Sequence, residues 1–237
     1  MIQQSKGKIF LADQRGVNQT EQFQSRHTFN FGKYSDENKN NFGDIYLLND
    51  DTIAGGGEIK MLVKEPSHIL LVPVAGAINY TDNAGNNNLI AAGQVLHTTA
   101  VKGDMMAISN PFREDLVNFL QIWIRAGKTK IPGARQLVTY NDVNENLNSL
   151  VKVIPVNGHN AQLPFIVSIG KFSGRGETVY LPKNKKNALF VFVIEGAFEV
   201  EGRLLHARDG LGLWETGVVE MEALSNDAIL LVAEHPL

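Results

Sequence analysis

Cysteine is absent from this 237-residue chain, which excludes disulfides, thiolate metal sites and thiol-based redox sensing. An excess of one charge is also lacking: 22 Lys and Arg against 25 Asp and Glu leave a formal net charge of -3. Such a balance points to neither nucleic acid nor an acidic membrane surface as partner. No apolar run is long enough to cross a bilayer, and Met1–Asp13 has no continuous apolar core of the signal-peptide kind. A cytoplasmic protein is therefore expected. Several catalytic signatures are missing too. Gly55–Gly57 is not followed by the Lys-Ser or Lys-Thr of a phosphate loop, and Gly174–Gly176 has no helix signal after it. There is no Gly-x-Ser-x-Gly elbow. The basic run Lys183–Lys186 reads as a solvated turn.

What is present is a core's worth of apolar residues, 43% of the chain, cut into short runs by Gly, Asn, Asp and Pro. His68–Gly76, Val117–Ile124, Ala188–Ile194 and Ala228–Val232 are such runs. Their length and their β-branched and aromatic content predict buried strands, and many short strands with frequent turns predict a sandwich or barrel. Helix is expected only in short pieces, around Asp142–Leu150. A weak internal repeat organises the pattern. Leu70–Ala77 (LLVPVAGA) and Leu189–Ala197 (LFVFVIEGA) are each followed by a turn, a few apolar residues and a second glycine turn. Two barrels on one plan follow, with the boundary in the Gly-, Pro- and Asn-rich stretch Ala126–Asn148. We expect an all-β chain with one barrel over residues 1–135 and another over 136–237.

Arg26–Asp51 (RHTFNFGKYSDENKNNFGDIYLLNDD) resembles the opening block of the pirin family, of the cupin superfamily, through Arg26, Phe29, Phe31, Tyr34, Phe42, Gly43, Leu48, Asn49 and Asp50. Gly76, Asp82, Gly85, Asn86, Gly93 and Val95 fit that family's turns. Leu120–Trp123 fits the end of its first barrel, and Glu234–Leu237 the end of its second. The resemblance implies a bicupin, two cupin-type antiparallel barrels in one chain. From the residues themselves, Phe29 and Phe31 are expected to pack in the core. Arg26 is expected to pair with an acidic residue, Asp50 or Asp51 being candidates.

Metal-dependent pirins carry a His-x-His pair before the strand that ends at the hairpin glycine, and a His-x-Glu pair after the second glycine turn. Alternate residues of a strand point to one side, so each pair aims two donors into one cavity. Counting back from Gly76 without a gap puts Leu62 and Lys64 at the first pair. Counting forward from Gly93 puts Met106 and Ile108 at the second. Leu62 and Ile108 have no donor, Lys64 repels a cation, and methionine sulfur is too soft for iron in an oxygen-rich site. Loss of the metal is expected, with these four positions lining a possible pocket. Glu58, Glu65, His68 and His97 lie in the same barrel, and a rearranged site for iron or another divalent ion built on His68 and His97 is the alternative. The second barrel, with His159 and His206 but no His-x-His, is expected to be filled by side chains.

Three functions follow. The favoured one is a metal-free small-ligand-binding or regulatory bicupin, which leans away from catalysis without settling it, with a small molecule or a protein as candidate partners. The second, implied by the resemblance, is a quercetinase-type dioxygenase with a rearranged site. The third is a structural interaction module with filled barrels.

Overall fold

The structure, a computed structural model, describes residues 5–127, 135–140, 145–155 and 163–237. Strand β1 (Lys6–Phe10) is followed by β2 (Gly16–Gln19), β3 (Phe23–His27), β4 (Ile45–Ile53), β5 (Glu58–Leu62) and β6 (Ser67–Ala75). Then come β7 (Ala77–Asp82), β8 (Asn87–Ala91), β9 (Gln94–Ala100), β10 (Met105–Ser109), β11 (Val117–Arg125) and β12 (Arg135–Thr139). The remaining strands are β13 (Val151–Ile154), β14 (Ile166–Phe172), β15 (Glu177–Tyr180), β16 (Asn187–Glu195), β17 (Ala197–Val200), β18 (Arg203–His206), β19 (Gly210–Trp214), β20 (Val219–Ala223) and β21 (Ala228–Pro236). The helix expected around Asp142–Leu150 begins outside the described residues, and His159 lies outside them too. Among the described residues no helix is long and apolar enough to cross a membrane.

The chain divides into two compact units, Arg15–Thr139 and Tyr140–Leu237 with the segment carrying β1. The N-terminal strand was expected with the first barrel; it instead pairs with β19, Lys6 opposite Trp214 and Phe10 opposite Gly210.

Each unit is a pair of antiparallel sheets around one core. In the first, the seven-stranded order β12-β9-β6-β11-β4-β3-β2 faces the four-stranded order β5-β10-β7-β8. In the second, β1-β19-β16-β21-β14-β13 faces β15-β20-β17-β18. The strand sequence β9-β6-β11-β4 thus recurs as β19-β16-β21-β14, and β5-β10-β7-β8 as β15-β20-β17-β18. The internal repeat is a repeat of the whole barrel.

The repeated glycine is a corner between sheets rather than the tip of a hairpin. At Gly76 (φ 77°) the chain leaves β6 in the large sheet and enters β7 in the small one, and Gly196 (φ 79°) does the same between β16 and β17. A side chain is excluded at both by conformation and by space. A Cβ on Gly76 would lie 2.9 Å from Val117 Cγ1, and one on Gly196 would lie 2.8 Å from Ala228 Cβ. Val117 and Ala228 open the equivalent strands β11 and β21.

The long strands of the large sheets are buried almost end to end, so their sequences run apolar without alternation. Parity still decides the face. Leu47, Ile53, Ile69, Leu71, Leu96, Val117, Phe119 and Trp123 belong to the first barrel's core. Leu189, Val191, Leu211, Leu213, Leu230 and Val232 belong to the second's.

Candidate functional site

Residues of the first barrel that share parity with core positions, yet are polar, define the site. On β4, Asn49 and Asp51 alternate with the core residues Leu47 and Ile53; on β11, Gln121 lies between Phe119 and Trp123. Ser25 and His27 occupy the adjoining positions of β3, opposite Asp51 and Asn49 respectively. Asn49 in turn pairs with Gln121 across the ladder. Three neighbouring strands therefore turn a polar patch toward the barrel interior.

That patch forms the floor of a cavity of about 590 Å³, a size typical of small-molecule sites. Its walls are Phe23, Phe31, Tyr46, Ile59, Met61 and Trp123, and Lys60, Leu62, Lys64 and Glu65 border it as well. Two ion pairs lie along this border: Lys60 with Glu58 at 3.1 Å and Arg125 with Glu65 at 3.1 Å. The Arg125 guanidinium also stacks over Tyr46 at 4.8 Å. Burial pushes the Tyr46 phenol up to about 12, so Tyr46 stays neutral and donates to Ser67 Oγ at 2.6 Å, the Ser67 hydroxyl in turn donating to the Glu65 carbonyl.

The floor is closely hydrogen-bonded. Trp123 Nε1 donates to Gln121 Oε1 at 3.2 Å, and Gln121 Nε2 donates to Asp51 Oδ2 in a short contact. Asp51 is 0% exposed and its Oδ1 has no hydrogen-bond partner. Burial raises its carboxyl to about 7; hydrogen bonding from Ser25, at longer than normal geometry, and from Gln121 favours the anion, and Asp50 opposes it. His27 Nδ1 lies 2.9 Å from Asn49 Oδ1 and 3.3 Å from Ser25 Oγ. With Asn49 accepting, the His27 proton sits on Nδ1 and Nε2 keeps its lone pair. Burial lowers the His27 pKa, which favours this neutral ring. Both contacts use one nitrogen, so Ser25, His27 and Asn49 lack the through-ring relay of a hydrolytic triad.

The residues singled out from sequence fall in several places. On β5 the half-buried residues packed on the core are Ile59 and Met61, while Leu62 is 53% exposed. The ladder sets Ile59 opposite Ile108 and Met61 opposite Met106. The gap-free count had put Leu62 and Lys64 inward; the strand's pleat turns their neighbours inward instead. Leu62 and Lys64 border the cavity, and Lys64 is exposed. Met106 and Ile108 are buried in the core. Glu58 is exposed and held by Lys60. His68 and His97 come together, Nδ1 to Nε2 at 3.1 Å. They do so on the face of the large sheet away from the core, since Ile69, Leu71 and Leu96 take the inward parity. Burial depresses both, to about 4 for His68 and about 3 for His97. The ion pair of Asp50 is with Arg15, at 3.2 Å, and not with Arg26, its backbone partner across the ladder. Phe29 is buried as expected, whereas Phe31 is half-buried at the cavity wall.

Sequence reasoning missed Ser25, His27 and Gln121 and read Asp51 only as an arginine partner. A signal was there. A glutamine inside VNFLQIWI and two acids closing IYLLNDD are polar residues within buried runs, where burial demands a partner or a purpose.

Comparison with known proteins agrees with this architecture. The Pirin family model matches residues 11–124, and the Quercetinase C-terminal cupin domain model matches residues 166–233. A pirin-like protein of Caulobacter vibrioides is 26% identical over 217 residues, covering 88% of this chain and 90% of its own. A quercetin 2,3-dioxygenase of Escherichia coli is 22% identical, covering 95% and 97%. The crystal structure of YhhW from Escherichia coli superposes with a TM-score of 0.87 at 21% identity, covering 98% of each chain. A nickel(II) complex of that bacterial pirin superposes at 0.83, with 20% identity and coverage of 98% and 99%. The fold is thus all-β with two cupin domains. The chain belongs to the pirin family.

The residues present do not fit a cupin-type metal. The inward positions of β5 and β10 carry Ile59, Met61, Met106 and Ile108, which offer two soft sulfurs and no imidazole or carboxylate. Shifting the sequence count by one residue, as the ladder requires, therefore leaves the donor set just as poor. Among the described residues no group of three or more His, Asp or Glu is placed to share an ion. No step through a metal is derived.

Proposed function

We propose that this pirin-family chain is a small-molecule-binding protein that uses the first-barrel cavity without a cupin-type metal. The observation that carries the reading is the pairing of a cavity of about 590 Å³ with an aromatic wall and a polar floor, beside inward positions of β5 and β10 that hold no hard donors. A planar aromatic ligand suits the wall of Phe23, Phe31, Tyr46 and Trp123. Relatives named quercetin 2,3-dioxygenase make quercetin the first probe. The second reading, flavonol cleavage at a rearranged metal site, is favoured by those names. Against it, His68 and His97 face away from the cavity.

The test is thermal melting and calorimetric titration with quercetin and a panel of planar aromatics, in chelator and then with ferrous or nickel ion. A native-state ligand at a hundred times its dissociation constant stabilises by about 2.7 kcal/mol. Saturable binding in chelator, unchanged by metal, is expected. Binding or oxygen consumption that requires the metal, or no binding by any of the panel, overturns the reading.

A further inference from the structure

We propose that the floor of the first-barrel cavity recognises a hydroxyl group on a small aromatic ligand, with Asp51 Oδ1 as the acceptor. This rests on the cavity being a ligand site.

The starting point is a buried carboxyl that is only half satisfied. Asp51 Oδ2 takes the amide of Gln121, which is itself oriented by the Trp123 indole. Oδ1 has no partner and is closed to solvent. A buried polar atom left without a partner is costly, more so when charged. The barrel does not require this arrangement, because the second barrel builds the same ladder without it. Ile53 faces Val117 where Phe172 faces Ala228; Asp51 faces Phe119 where Gly170 faces Leu230; Asn49 faces Gln121 where Ser168 faces Val232. The places of Asp51 and Gln121 are thus held by Gly170 and Val232. The vacated space is taken by Phe172, whose ring would lie 2.6 Å from a Cβ on Gly170. At this level an aromatic ring fills the second barrel where the first keeps an acid; the second barrel's own buried acid, Glu234, stands at the place of Trp123 and has both oxygens bonded, by Tyr180, Lys183 and Asn187.

The chemistry around Oδ1 selects the ligand class. The donor chain from Trp123 through Gln121 ends on Asp51 and supports its carboxylate, which accepts and does not donate. The partner it lacks is therefore a donor. An ammonium is disfavoured by Lys60 and Lys64 at the border. The other charged or titratable neighbours do not compete: His27 is engaged with Asn49, Asp50 with Arg15, and Glu65 with Arg125. A neutral hydroxyl on a flat apolar body fits both floor and wall. Ser25, opposite Asp51 on β3 and 1% exposed, is the neighbouring hydroxyl that favours the carboxylate, and it is the group a ligand hydroxyl displaces at Oδ1. Rotation about its single side-chain torsion opens the way to Oδ1.

The experiment compares 2-naphthol with its methyl ether, 2-methoxynaphthalene, by fluorescence titration of the full chain at pH 8. The two probes share a flat body and differ in one donated hydrogen. A hydrogen bond to a charged acceptor predicts binding of 2-naphthol about tenfold to a hundredfold tighter. Asp51→Asn should bring the two affinities together. Ser25→Ala, which removes the competing hydroxyl, should widen the preference. If Asp51→Asn does not fold, the native protein still decides the matter, because the preference must shrink at pH 5.5, where the protonated carboxyl is an uncharged and weaker acceptor. Equal affinities for the two probes, or a preference that survives both Asp51→Asn and acid, overturns the inference but leaves the ligand cavity standing. Binding of neither probe removes both.

Discussion

Asp51 should make the protein less stable as pH rises, and Asp51→Asn should abolish the effect. In the folded chain the carboxyl titrates near 7, against a starting value of 3.8. A raised carboxyl pKa means that the folded state holds its proton more tightly than the unfolded chain does. The associated stability is complete below about 3.8, declines as pH rises toward 7 and is gone above it. Roughly three pKa units correspond to about 4 kcal/mol, and the stretch from pH 5 to pH 8 accounts for about 3 kcal/mol of that. Asparagine keeps an oxygen for Gln121 Nε2 and cannot ionise, so its stability should be flat across this range. Its amide hydrogens find Ser25 beside them; if they stay unpartnered they cost about 1–3 kcal/mol. The variant should still equal or exceed the native protein at pH 8 and lose that advantage at pH 5. Urea unfolding of both proteins at each pH unit from 5 to 8 measures the difference. Subtraction cancels distant titrating groups such as His68 and His97. Parallel curves would refute the reasoning: Asp51 would then titrate as an ordinary surface acid, and the carboxyl would be solvated rather than buried.

Two further outcomes are expected. Gly196→Ala should destabilise by about 2–3 kcal/mol in thermal or urea unfolding, since alanine must hold a φ of 79° and place its Cβ 2.8 Å from that of Ala228. The His68–His97 pair should act in the opposite sense to Asp51. Its depressed pKa values leave stability complete above about 6.5, and it is lost as pH falls and the unfolded chain takes up protons that the folded pair refuses. About 1 kcal/mol per histidine should go between pH 7.5 and 5.5. His68→Gln should reduce that slope whatever it does to stability at neutral pH.

The fold was legible because its signals are local and repeated. Gly76 and Gly196 must be glycine for reasons of φ and of space, and each ends a run of buried strand residues, so the two corners announce two barrels. The assignment of β1 was not legible. Lys6–Phe10 reads KGKIF, a short edge strand with four exposed residues, and nothing in it distinguishes β12 or β19 as its neighbour. Its partner is set by a contact with a strand some two hundred residues away, and pattern along the chain carries no information about that.

The cavity floor was hidden by a different ambiguity. In a strand buried on both faces, a period of two cannot be seen, and a one-residue error in counting exchanges the inward and outward sets. Leu62 and Lys64 show the counting error alone: β5 alternates exposed and half-buried residues, and a gap-free count from Gly76 lands one residue past the inward Met61 and Val63. The same blindness made Gln121 read as one polar residue in an apolar run and Asp51 as a partner for Arg26, although the ladder brings them together in the barrel interior. What separates a structural polar residue from a functional one here is the internal control provided by the twin barrel. With backbone, register and corner geometry held in common, the places of Asp51 and Gln121, on adjacent rungs, are filled in the other barrel by Gly170 and Val232, with the Phe172 ring over Gly170. A purely architectural demand would have produced the same solution twice. The second barrel buries an acid too, Glu234 at the place of Trp123, but Tyr180, Lys183 and Asn187 bond both its oxygens, whereas Asp51 leaves one oxygen without a bond of normal geometry, and that difference is the reason to look for a ligand there.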